Sequence, residues 1–416
     1  MSFSVKRAAA LSVAAVTTFG LVACSSSSKS SSSSSVSTAT TSASASTAAP
    51  TTVAAANISA TSFTSDFSAM SQLTSVAAAG KGLIGVLLPD TTSSTRYVTY
   101  DAPFLTKAFE AAGLTSSQFK VDNAQGSATT MQTQAEADIT AGASVLIIDA
   151  LDSGSGAAIE ANAIAKGVKV IDYDRLVLGG AAGRTYVSFD NVAVGKLIGE
   201  GEVSCIAAWN VQKPNILVMD GDPTDNNATL FAEGYNAVLK PYFDNGTYVK
   251  VGEPAGTWTP SIAQTTFSQQ FTAHPNINAV VTPNDDNANA VIAYLKSKQI
   301  QPKTFPTTGQ DASLPGLQNI LEGYQCGTVY KPIYLEAQAA AAEALYLRAG
   351  ETPPAALVNG STQDTTAKTS VPSVLLTPIW VTSANMEATV VKDGFQPASA
   401  ICTSALTAAC SAAGIS

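Results

Sequence analysis

From residue 81 onward, apolar runs of strand length alternate with stretches of helical spacing. Residues 82–88 (GLIGVLL) read as a buried strand. Residues 102–112 read as a helix with Phe104, Leu105, Ala108 and Phe109 on one side, and 119–121 as a short strand. The pattern continues through helices predicted at 128–141 and 157–166 and strands at 144–148, 168–171 and 185–189. It restarts with helices at 194–207, 228–239, 262–271, 288–298, 314–322 and 336–348. Strands are predicted between them at 215–219, 249–252, 279–282, 305–308 and 327–330. A strand-like run at 373–376 and a short amphipathic helix near 385–391 close the series. Such alternation with short loops predicts βαβ units, hence parallel strands and right-handed crossovers. So many strands are more economical as two doubly wound lobes than as one sheet.

Polar residues gather where the apolar runs stop. Arg96 and Tyr97 follow the first strand, Asp149 the third, and Asp174-Arg175 the fourth. Residues 221–227 (GDPTDNN), Asn284-Asp285-Asp286-Asn287, Gln310-Asp311 and Lys331 follow later ones. Ligands of open α/β sheets bind beyond the carboxyl ends of the strands. Asn and Asp there also cap helices, and Asp286, Asn287 and Asn226 are predicted as caps or turns. Taken together, Arg, Lys, Asp and Asn without His, Cys or a phosphate-cradling loop suit a neutral polyol. Carboxylates accept from hydroxyls, Arg and Lys donate, and amides do both. Tyr97 and Trp258 offer apolar ring faces for the C–H side of a pyranose, with core packing as the alternative. Trp258 lies in a loop (GTWTP) just before a helix, which favours the first.

Composition narrows the function. The chain has 416 residues, 45% hydrophobic and 13% charged, with a net charge of −9. That charge excludes nucleic acid as a partner. The single histidine, His274, sits in a turn-like Ala-His-Pro-Asn. This removes Ser-His-Asp, Cys-His and multi-His metal chemistry, so no cofactor and no metal are expected. The N-terminus carries Lys6-Arg7, a short apolar stretch at 8–22 and the tetrad Leu-Val-Ala-Cys ending at Cys24. This reads as a lipoprotein signal peptide over residues 1–24 with Cys24 as the lipidated residue. Its apolar stretch is too short to span a membrane. Residues 25–62, mostly Ser, Thr and Ala, are expected to be a disordered linker. Four cysteines remain, allowing three pairings or free thiols. The helix-like run between Cys402 and Cys410 favours that pair, which leaves Cys205 to Cys326.

Several short motifs, in order, resemble one family. They are Tyr-Asp-Arg (173–175), Ser-Phe-Asp-Asn (188–191), Asp-Asn-Asn-Ala (225–228), Gly-Gln-Asp-Ala (309–312) and Thr-Val-Tyr-Lys-Pro (328–332). Leu-Leu-Thr-Pro (375–378) and Val-Lys-Asp-Gly-Phe (391–395) complete the set. Over about residues 81–395 the chain resembles the D-xylose-binding proteins of bacterial ABC importers and the related receptors for glucose, galactose and arabinose. The resemblance implies a type I periplasmic binding protein fold, α/β, with two Rossmann-like doubly wound lobes joined by a three-crossing hinge. It implies an N-terminal lobe of residues 63–189 with 311–331, and a C-terminal lobe of 190–310 with 332–416. Residues 188–191, 310–311 and 331–332 would form the hinge.

By motif, sugar contacts would fall on Arg96, Arg175, Asn227, Asn284, Asp311 and Lys331, with Asp174 close by. Asp285 is the alternative to Asn284, and stacking would fall on Tyr97 and Trp258. The family often has Trp where this chain has Tyr97. The implied ligand is a monosaccharide and the implied partners are the membrane permease subunits of an ABC importer. The protein would be a monomer, held to the outer face of the cytoplasmic membrane through Cys24, with no catalytic activity. A receptor for a non-aldose signal is the first alternative. A glycosidase using Asp174 and Asp311 is the second. A sugar-responsive repressor would need a helix-turn-helix where the signal peptide stands.

Overall fold

Leu83–Leu88 (β1) is apolar along its whole length because it lies inside a parallel sheet covered on both faces. The computed structural model describes residues 57–415. The signal peptide, Cys24 and the linker up to residue 56 lie outside the described residues. The other strands are Phe119–Asn123 (β2), Ala143–Ile148 (β3), Lys169–Tyr173 (β4), Thr185–Phe189 (β5), Asn215–Val218 (β6), Val249–Gly252 (β7) and Ala279–Val281 (β8). Thr328–Tyr330 (β9), Gly360–Asp364 (β10), Thr369–Leu376 (β11) and Ile379–Val381 (β12) follow. Seven form one sheet in the order β10-β11-β5-β4-β3-β1-β2, parallel except for β10. In the second lobe, β7-β6-β8 are parallel. Single bridges from Val280 to Thr307 and from Gln310 to Val329 carry this sheet on to β9, which pairs antiparallel with β12. The strand expected at 305–308 is only such a bridge.

The chain passes between the lobes three times, after β5, after β9 and after β11. The Asp190 N–H donates to the Leu376 carbonyl at 2.9 Å, tying the first and third crossings together. This corrects the expected partition. Residues 311–331 belong to the second lobe, because β9 extends its sheet. Residues 333–376 return to the first. There the Ala-rich helix Ile333–Ala349, apolar on nearly every side, covers β3, β4 and β5, and β11 lies parallel to β5. Only the segment after β11 rejoins the second lobe. Its Met386, Val390, Phe395 and Ile401 share a core with Leu317 and Ile320. The hinge therefore runs through residues 376–378 and not 310–311.

Both expected disulfides are present. Cys205–Cys326 ties the Asn191–Ala208 helix to the approach of β9, and Cys402–Cys410 pins the C-terminal tail. The linker ends earlier than residue 62, since Ile58 and Ala60 are buried and the Ala60 N–H donates to Ala356 O. In the second lobe, helices Asn191–Ala208 and Asn226–Asp244 approach closely. A Cβ on Gly195 would lie 2.0 Å from Phe231 O, and one on Gly234 2.3 Å from Val192 O. Side chains there would push apart the two helices that bring Asn191, Asn227 and Phe231 to the cleft.

Candidate functional site

All nine residues singled out by sequence line one cavity between the lobes. From the first lobe come Arg96 and Tyr97, at the start of a π-helical turn (Tyr97–Asp101), and Asp174 and Arg175, just past β4. From the second come Asn227, Trp258, Asn284 and Asp311, with Lys331 at the middle crossing. Each follows the carboxyl end of a strand or its equivalent, where backbone groups are no longer spent on the ladder. Asp174 and Asp311 have left-handed backbones, φ 57° and 93°, a conformation tolerated best by short polar side chains.

The lobes are closed on each other. Ser94 Oγ donates to Asp311 Oδ2 at 3.3 Å, and the Thr95 N–H to Asp286 Oδ2 at 3.2 Å. Arg175 Nε lies 3.2 Å from Asp225 Oδ2. Asn227 Nδ2 donates to the Asp174 carbonyl at 2.9 Å, while Asn227 Oδ1 accepts from Asn191 Nδ2 at 2.9 Å. Arg175 also donates to Tyr97 Oη at 2.7 Å and to Ala150 O at 3.2 Å. The Tyr97 ring has the Arg96 and Arg175 guanidinium carbons each 5.6 Å from its centroid. Trp258 donates its indole N–H to Asp225 Oδ2 at 3.0 Å. Its ring fills the space where a Cβ on Gly221 would stand, 2.2 Å from Cη2. Several buried polar atoms make no hydrogen bond: Asp311 Oδ1 and Gln310 Oε1 on cavity-lining residues, and Arg175 Nε and both Asp149 oxygens, where Nε sits 3.4 Å from Asp149 Oδ1 as an ion pair only. The cavity thus presents donors, acceptors and aromatic surface from both lobes.

Residues 84–352 match the periplasmic binding protein domain. The chain belongs to the periplasmic binding protein family. It is 38% identical over 278 residues to the D-xylose-binding periplasmic protein of Escherichia coli (strain K12), covering 66% of this chain and 80% of that one. It is 32% identical to the multiple sugar-binding periplasmic receptor of Rhizobium radiobacter, covering 77% and 92%. Among solved structures it is similar to an ABC transporter solute-binding protein of Clostridium phytofermentans with bound β-D-glucose. The TM-score is 0.68 at 26% identity, over 77% of this chain and 99% of that one. A carbohydrate transporter solute-binding protein of Chloroflexus aurantiacus in complex with D-glucose gives a TM-score of 0.66 at 27% identity, covering 77% and 98%. Periplasmic binding proteins are exported and hold a solute without transforming it, so this chain is not an enzyme.

In this periplasmic binding protein the cavity carboxylates differ sharply. Burial raises Asp174, but Arg96 and Lys331 outweigh it and hold the group below its ordinary value. Burial raises Asp311 with only partial opposition from Lys331, and raises Asp149 against Arg175. Asp174 is therefore a fixed anion and acceptor.

Sequence reading placed Asp225 and Gln310 at strand ends but assigned no ligand contact to them, nor to Ser94 or Phe231; all four also line the cavity. Phe231 is one helical turn beyond Asn227 and shares its face, a spacing visible in the sequence. The caps also fall earlier than expected. Asn284 accepts from the Asn287 N–H and Asp225 from the Asn227 N–H, so two cavity residues double as helix caps, and Asp286, Asn287 and Asn226 do not cap. Asp285 faces away, accepting from Gln325 and the Ser313 N–H, which leaves Asn284 as the cavity residue of that pair. His274 is an exposed residue ending a helix. Among the described residues no group of His, Cys, Asp and Glu could hold a metal ion, and no helix is long and apolar enough to cross a membrane.

Proposed function

We propose that this protein captures a monosaccharide, an aldose such as D-xylose, glucose, galactose or arabinose, in the cleft between its lobes and hands it to an ABC permease. The observation that carries this reading is the interlobe cavity, where charged and amide side chains of both lobes keep unspent hydrogen-bonding capacity. Arg175 donates, Asp311 and Asp174 accept, Asn284 does both, and Tyr97 and Trp258 supply ring surface. Closure removes these groups from water, so a ligand lacking a matching hydroxyl leaves a buried group unpaired. Micromolar capture needs roughly 8 kcal/mol net, which several charge-assisted hydrogen bonds and two ring faces supply after ordering costs. The names of the relatives support an aldose; pentose against hexose is a matter of one hydroxymethyl group.

We also read the protein as a monomeric lipoprotein held at the membrane through Cys24, which would keep it near its permease. Calorimetry of residues 57–416 against D-xylose, D-glucose, D-galactose, L-arabinose and D-ribose tests the main reading. One-to-one binding of at least one aldose is expected. No heat with any of them, from folded protein free of co-purified sugar, moves the ligand to a non-aldose signal. A Cys24→Ser variant is expected to leave the membrane fraction; one that stays with it removes the lipid anchor.

A further inference from the structure

We propose that Glu336 is a positioning residue for ligand binding, fixing the Arg96 guanidinium at the cavity from outside it. The inference rests on the sugar-binding reading above. Glu336 does not line the cavity and is fully buried in the first turn of the Ile333–Ala349 helix, just past the middle crossing. A guanidinium has five N–H donors in a rigid fork. Arg96 spends Nε and Nη2 on Asp101 at 2.9 and 2.8 Å, Nη1 on Asp174 Oδ1 at 2.8 Å, and its second Nη2 hydrogen on Glu336 Oε2 at 2.7 Å. One N–H remains, on Nη1, the nitrogen that faces Asp174.

Asp174 Oδ1 in turn accepts from Lys331 Nζ at 2.8 Å. The Arg96–Asp174 pair is thus gripped by Lys331 at the crossing and by Glu336 just beyond it. Packing alone does not require this. A buried ion pair contributes little net stability against an apolar replacement, whereas it fixes geometry well. Without Glu336 the fork keeps Asp101 but loses the contact that stops it tilting about that bidentate pair. The remaining Nη1 hydrogen, and the Asp174 carboxylate beside it, would then no longer be held for a ligand hydroxyl.

The charged and titratable groups facing Glu336 are Arg96 and Asp101 from the π turn, Tyr173 and Asp174 from β4, Tyr186 from β5, and Lys331. Burial pushes Glu336 up to about 8 against the pull of Arg96, so its grip as an anion strengthens as pH rises through that range. The test uses the full chain, with aldose affinity, release rate and melting temperature measured between pH 6 and pH 9. Glu336→Gln keeps the shape and loses the charge. It is expected to fold, to bind at least tenfold more weakly at pH 9, mostly through faster release, to come close to the wild type at pH 6, and so to flatten the wild-type pH profile. Affinity within twofold of wild type at pH 9 with an unchanged profile overturns the inference, whatever happens to the melting temperature. Should that variant not fold, Glu336→Asp carries the same test. It keeps the charge but withdraws the oxygen from Nη2, so at least a fivefold loss is expected and an unchanged affinity overturns the inference. A wild-type chain that binds no aldose overturns the sugar reading and this inference with it. Wild-type binding with unaffected variants ends this inference alone.

Discussion

Arg175 and Arg184 stand on the same loop after β4, both buried among carboxylates, yet they serve opposite ends. Arg184 is the centre of a closed cluster. It donates to Asp172 at 3.0 Å, Asp364 at 2.8 Å and the carbonyls of Val177 and Ala181 at 2.8 and 2.9 Å. Asp364 accepts the Gly179, Thr366 and Ala367 N–H groups, and Glu160 accepts that of Ala181. The bonds to Asp172, Asp364 and Glu160 fasten the loop of residues 176–184 to β4, β10 and a neighbouring helix, and none of the four charged side chains reaches the cavity. Arg175 lines the cavity with Nε making no hydrogen bond, and the Asp149 carboxylate behind it is held by charge alone, with neither oxygen hydrogen-bonded. Buried charge alone does not mark a binding site. What marks it is capacity left over, aimed at a space.

Removing each arginine is the most direct way to break that contrast. Arg184→Ala leaves Glu160, Asp172 and Asp364 buried without their cation, and a loss of about 3–5 kcal/mol in stability is expected. Denaturant unfolding measures it, and sugar affinity of the folded protein should stay within about twofold. A large affinity loss at preserved stability would place Arg184 in the binding machinery. Arg175→Ala should do the reverse. At least a roughly 100-fold loss in affinity, about 2.7 kcal/mol, is expected by calorimetry. The fold survives because Asp149, already raised by burial, takes up a proton when its cation goes. Unchanged affinity in a well-folded Arg175→Ala protein would remove it from the site. Asp311→Ala comes next, with about a tenfold loss expected. Its carboxylate lines the cavity and also receives the Ser94 hydroxyl across the cleft. Full retention of affinity would make it a closure contact only.

The same contrast explains what was legible in the sequence. Strand-ends followed by Asp, Asn, Arg and Lys are a local pattern, and the ordered motifs of the family resemblance pick the nine cavity residues out of that pattern and the loops beside it. Which lobe each segment joins is not local. Residues 311–331 and 332–376 were assigned to the wrong lobes because nothing in β9 or β11 says which sheet they enter; that depends on pairing with Gln310 and with β5. β10 (Gly-Ser-Thr-Gln-Asp) went unseen because an edge strand held by one neighbour needs no apolar period. Glu336 was hidden for a related reason. In an Ala-rich helix a single Glu looks solvated, and only the return of that helix beneath β4 places it against Arg96.

The smallest expected effect separates the two clusters by pH. In the Arg184 cluster, burial and the neighbouring Asp172 push the Glu160 carboxyl well above its ordinary value of 4.5. Glu160 Oε1 and Asp172 Oδ1 are the two oxygens of the pair with no other partner, and one shared proton between them satisfies both. The unfolded chain gives that proton up above about pH 4.5, while the folded protein keeps it through neutrality. Across that window the folded state holds more protons, so stability falls as pH rises, by at most about 1.4 kcal/mol per unit. Glu160→Gln cannot titrate, and its amide can donate to Asp172 at any pH. Unfolding at pH 6.3 and pH 7.0 should therefore show a shallower loss in the variant, by about 1 kcal/mol over the interval. A variant that keeps the wild-type slope would mean Glu160 is ionised in the folded state, with Arg184 facing three anions at once. The closed cluster would then carry uncompensated charge like the open one, and the distinction between them would rest on the cavity alone.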